Sequence, residues 1–129
     1  MLNILVLENM KKTIEMMSKY HQIEISPFWS RESLINYHQQ NNIITVAHSS
    51  LTKAKKLDDL QLLQMSEKYN CQPTNILINW ALQQGFYVLP RTSNVKHLKE
   101  NQLIVPIETK DLKIMKLWNC NFATHPQYL

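Results

Sequence analysis

Glycine is nearly absent from this chain: Gly85 is the only one in 129 residues. Cysteine is almost as scarce. Cys71 and Cys120 stand alone with no Cys-x-x-Cys pair, so a disulfide framework is excluded and a reduced, cytoplasmic compartment is expected. No apolar run approaches the roughly 18 residues of a membrane span. The opening MLNILVLENMKK has too short an apolar run and the wrong charge order for a signal peptide. P-loop, metal-ligand and nucleophile motifs are all missing, and His21 and His125 are too isolated to argue for a metal. An acidic excess is missing too, the net charge being +4. The lysines at 53, 55 and 56 and at 96 and 99 cluster without the interleaved aromatics that stack bases, so they read as a solvated basic face and no nucleic-acid partner is expected.

What is present is organised around Cys71–Asn101. Pro73 stands where a first-turn proline is tolerated, and Ile76, Leu77, Trp80 and Ala81 form one apolar helical face. Gly85 falls where a residue just past a helix end needs positive φ. Residues 86–89 follow as a short, wholly apolar strand of the kind buried in parallel sheets, and Pro90 ends it. Arg91 then stands at a strand end before a helix that Ser93 can cap, a place suited to an anion.

Around this unit, Leu7, Met10, Ile14 and Met17 fall at helical spacing. Residues 22–26 alternate as a strand. Ser30 to His38 reads as a helix with Leu34, Tyr37 and His38 inward, and 43–47 as a second buried strand. Asp58 can cap a helix with Leu60, Leu63 and Tyr69 inward, and Thr109 a last helix with Leu112, Met115 and Leu117 inward. The expectation is a single α/β domain over 1–129, with three parallel strands (22–26, 43–47, 86–89) alternating with helices.

The motif Trp80-Ala81-Leu82-Gln83-Gln84-Gly85, then Val88-Leu89-Pro90-Arg91-Thr92-Ser93-Asn94, then His97-Leu98-Lys99-Glu100-Asn101 resembles the aldo-keto reductases, NADPH-dependent (β/α)8-barrel oxidoreductases. Their pattern there is roughly W-A-L-Q-x-G-x-x-V-I/L-P-K-S-x-N followed by R-I-x-E-N. His21 to Phe28 is similar to their N-Q-I-E-x-H-P-F, and Val46 to Leu51 to their V-A-Y-S-P-L. Asn119-Cys120-Asn121 and His125-Pro126-Gln127-Tyr128 resemble the family's tail. A complete barrel of this kind needs roughly 200 residues, so the resemblance implies a partial TIM barrel, from the end of strand five to the C-terminus.

The resemblance also implies which chemistry is present. The family's catalytic Asp, Tyr, Lys and His lie upstream of anything matched, so no catalytic residue is assigned and the chain alone is expected to be inactive. Tyr20, Tyr37, Tyr69, Tyr87 and Tyr128 read as core or tail tyrosines. Much of the NADP(H) surface is expected: Asn3 and Gln22 on the nicotinamide carboxamide, and His48 where a tyrosine stacks on the ring. Ser49 and Leu51 would line the pyrophosphate, and Arg91, Thr92 and Ser93 would meet the 2′-phosphate and its ribose. His97 replaces an arginine on that phosphate, and Glu100 and Asn101 would bond the adenine. For Gln22 the plainer reading is a bond to a neighbouring strand; for Glu100 and Asn101 it is a solvated helix end. His48 and His97 weaken the cofactor site, since imidazole offers a smaller π-face than tyrosine and no permanent bidentate fork. The expected partner is a separately encoded N-terminal half-barrel or a second copy. The other reading is a non-catalytic interaction module using the exposed half-barrel.

Overall fold

The computed structural model describes residues 4–6, 8, 19–48, 55–89 and 103–123. The strands are β1 (Tyr20–Glu24), β2 (Ile44–His48) and β3 (Tyr87–Val88), and they form one parallel sheet in the order β1-β2-β3. Between them run α1 (Glu32–Gln40), α2 (Leu60–Lys68) and α3 (Pro73–Gln83). After them come α4 (Thr109–Met115) and a 3₁₀ turn at Lys116–Trp118. The partial barrel expected from the sequence is thus what the described residues form, and among them the sheet does not close.

The strand bounds differ from expectation by one or two residues, each for a local reason. β1 ends at Glu24 because Ser26 and Trp29 exchange backbone bonds of 3.2 and 3.0 Å and turn the chain away. Ile43 N–H bonds His38 O at 2.8 Å, closing the end of α1, so β2 starts one residue later. Phe86 N–H still bonds Ala81 O in α3, which leaves Tyr87 and Val88 for β3.

Local chemistry explains the helices. Pro73 opens α3, where its missing N–H costs nothing. Gly85 follows the end of α3 at φ 86°, a conformation that costs other residues about 1–2 kcal/mol. Asn42 adopts φ 54° in the turn after α1, which asparagine tolerates. Asp59, not Asp58, caps α2 by accepting from the N–H groups of Gln61 and Leu62.

Alternation along the strands divides the sheet into two faces. His21, Ile23, Thr45 and Ala47 face the helices, with Ile76, Leu77, Trp80 and Ala81 of α3 buried in the same core. Two helical faces differ from expectation. On α2 the buried residues are Leu62, Met65 and Ser66, while Leu60 is 75% exposed and Leu63 also faces outward. On α4 and its turn they are Asp111, Met115 and Trp118, while Leu117 is 82% exposed.

Candidate functional site

Among the described residues, the opposite face of the sheet is the open one. Tyr20, Gln22 and Glu24 of β1 share it with Ile44, Val46 and His48 of β2 and with Tyr87 of β3, because registered partners point the same way. Tyr20, Tyr87 and Leu89 are 52%, 58% and 52% exposed. Two of the tyrosines read as core or tail, Tyr20 and Tyr87, therefore stand on an uncovered surface instead.

Gln22 is exposed on this face, and Val46 is its partner on β2. His48 ends β2, half-buried, opposite Glu24. Glu24 is 2% exposed, a carboxylate sequestered at the carboxyl end of the strand. Sequence reasoning assigned it no role, although its alternation with Gln22 places it on the same face. Asn3, Ser49, Leu51, Arg91, Thr92, Ser93, His97, Glu100 and Asn101 lie outside the described residues, as does the helix expected from Ser93. So do most of the residues of the helix expected after Leu7.

The loop leaving β1 is built as a platform. Phe28 O accepts from Cys120 N–H at 3.0 Å and from Phe122 N–H at 3.1 Å, tying the tail to the strand end. Phe28 stacks on Trp118 with centroids 5.8 Å apart, and Lys56 Nζ sits over both Phe28 and Phe122. Arg31 stacks on Trp29 at 4.3 Å and donates to Glu24 O at 3.5 Å. Burial pulls the Arg31 pKa down and Glu24 pushes it back up. A cavity of about 550 Å³ opens beside them, lined by Ile4, Leu5, Trp29, Arg31, Asn119 and Asn121 among others. The tail motif 119–121 thus packs on the loop that leaves β1, where Asn119 Oδ1 also accepts from Ser30 N–H at 3.2 Å.

A tyrosine, an aspartate and a lysine do meet, but on the helical side. Asp111 accepts from Lys68 Nζ at 2.9 and 2.7 Å and from the Tyr69 hydroxyl, and that hydroxyl accepts from Glu108 N–H at 2.8 Å. Burial and the Asp111 bond push the Tyr69 hydroxyl up, the wrong direction for a proton donor. These groups clamp α4 to α2. Among the described residues, no three His, Cys, Asp or Glu side chains could hold a metal, and no helix is long and apolar enough to cross a membrane.

No protein-family profile matches the chain. It is 32% identical over 108 residues to an uncharacterized oxidoreductase of Schizosaccharomyces pombe, covering 84% of this chain and 39% of that one. It is 34% identical over 95 residues to glycerol 2-dehydrogenase (NADP(+)) of Saccharomyces cerevisiae, covering 72% and 30%. In structure it resembles an aldo-keto reductase complexed with NADPH, with a TM-score of 0.83 and 23% identity, covering 95% of this chain and 42% of that one. The chain therefore spans well under half the length of these relatives.

Proposed function

The chain belongs to the aldo-keto reductase family, and we propose that it supplies the NADP(H)-contacting side of a carbonyl oxidoreductase whose proton-donating residues lie outside these 129 residues. The observation that carries this is the open face. Gln22, exposed, and His48, half-buried, share that face near the carboxyl ends of adjacent strands. Ligands of parallel α/β barrels sit at that end.

When bound, the cofactor supplies hydride to a carbonyl carbon. This chain's own residues bind and orient it. By the family resemblance, Gln22 with Asn3 would hold the carboxamide by hydrogen bonds, and His48 would lie against the nicotinamide ring. Ser49 and Leu51 would flank the pyrophosphate. Arg91, Thr92, Ser93 and His97 would take the 2′-phosphate end, and Glu100 and Asn101 the adenine. The substituted positions 48 and 97 weaken this grip. No catalytic residue is assigned here, so the chain alone turns over no carbonyl. A reducing, cytoplasmic setting fits the free Cys71 and Cys120.

The occupant of the open face, on this reading, is the remaining part of the barrel, from elsewhere in a longer polypeptide or from a separate one. Titrating NADPH by fluorescence into the assembled protein and its Arg91→Ala variant tests the cofactor assignment. One charged hydrogen bond is worth about 1.5–3 kcal/mol, so the variant should bind about tenfold to a hundredfold more weakly. Equal affinities would overturn it.

A further inference from the structure

The helix-facing side of the sheet holds a buried polar group that cofactor binding does not use. His21 Nδ1 of β1 lies 2.7 Å from His38 Nε2 of α1, and His38 Nδ1 lies 2.8 Å from Thr45 Oγ1 of β2. His38 is 0% exposed and His21 6%. The rings meet edge to face, with centroids 4.8 Å apart. His21 Nε2 is buried without a hydrogen-bond partner. Three elements are thus joined through two imidazoles.

Counting protons shows what the group tolerates. Nitrogens facing at 2.7 Å need one proton between them. With both rings neutral, His38 Nε2–H can donate to His21 while His38 Nδ1 accepts from the Thr45 hydroxyl. Alternatively, His21 Nδ1–H donates to His38, and His38 Nδ1–H donates to Thr45 Oγ1. The second arrangement leaves a bare lone pair on His21 Nε2, so one added proton there keeps every bond. A second proton has only His38 Nε2 to occupy, and it would then face His21 Nδ1–H across a cation pair. The group accepts one proton and breaks on the next.

We propose that His21, His38 and Thr45 form an acid-sensitive latch that fastens α1 to β1 and β2, and that acid releases α1 first. The surroundings oppose protonation. Burial lowers the His38 pKa to about 4, with His21 and Arg31 adding like-charge repulsion. Burial, then Arg31, also lowers that of His21. Tyr37, one residue before His38 on α1, is pushed up and stays neutral. Glu24 lies on the other face of β1. The unfolded chain therefore binds more protons below pH ~6.5. The latch's contribution is complete above that value and is lost as pH falls towards about 4. Each linked proton changes the unfolding constant tenfold per pH unit, so His38 alone gives about 300-fold across this window.

The test follows the full chain, in whatever assembly it adopts, between pH 7.5 and 5, above the range of ordinary carboxylates. Protection factors, corrected for the slowing of intrinsic amide exchange toward acid, should fall first at residues 32–40, by about tenfold or more per pH unit below 6.5, and His38→Gln should flatten that dependence to under threefold. Nitrogen shifts of labelled histidine in the unmodified chain serve if the variant does not fold, and should show that the two buried rings do not both titrate near 6.5. A His38→Gln protein with the same pH slope, or two rings titrating near 6.5 while folded, would overturn the proposal.

Discussion

Asn79→Ala should free the segment that follows the candidate phosphate-binding region. Asn79 and Gln83 lie one turn apart on α3, and their amides act as a strand edge for residues 103–107. Asn79 Nδ2 donates to Leu103 O at 3.0 Å, and its Oδ1 accepts from Val105 N–H at 3.1 Å. Gln83 both donates to Ile107 O and accepts from Ile107 N–H, at 3.0 and 2.9 Å. Val105 is buried, so its N–H finds no water when Asn79 is truncated. Two lost bonds at about 1 kcal/mol each, plus the stranded amide, give about 3 kcal/mol, or roughly a hundredfold in local opening. Hydrogen exchange read by mass spectrometry on the peptide spanning 103–107 measures this directly. Asn79→Leu, which retains the volume, should cost the same, which separates hydrogen bonding from packing. A change below threefold in that peptide, with the rest unaffected, would refute the reasoning.

Asp111→Asn should cost about 2 kcal/mol in denaturant unfolding, because it removes a charged bond to Lys68 while Lys68 remains half-exposed and can rehydrate. Lys68 and Tyr69 hold the Asp111 carboxyl below the usual carboxylate range, so its contribution is complete above pH ~3.9 and is lost as pH falls through its lower folded value; a stability–pH profile should show that loss in the parent and not in the variant. Gly85→Ala meets no atom within 4 Å, so its cost should be the left-handed backbone alone, about 1–2 kcal/mol by the same unfolding measurement. A neutral result would show that the helix end relaxes to negative φ.

The α3–β3 unit was legible because its determinants are local. Pro73, the apolar face through Ala81 and Gly85 each constrain only their own turn. The open face was legible in Gln22 and Glu24 through simple alternation. Residues buried by virtue of a distant partner were not. Asp111 is buried on α4 because Lys68 and Tyr69, 43 and 42 residues away, satisfy it. Hydropathy reads that position as outward. His21 appeared isolated because its partner is 17 residues away, one strand-to-helix crossover later. Tyr87 read as core because an apolar strand implies cover on both faces, and among the described residues cover lies on one only.

That uncovered face is the centre of the account. Light scattering on the 129-residue chain, combined with a thermal scan, tests it most directly. The open side of the sheet, with Tyr20, Tyr87 and Leu89 exposed, predicts that the isolated chain self-associates or melts without cooperativity until the rest of the barrel is supplied. A monodisperse species at the monomer mass of 15.3 kDa with a sharp, cooperative melt would contradict it.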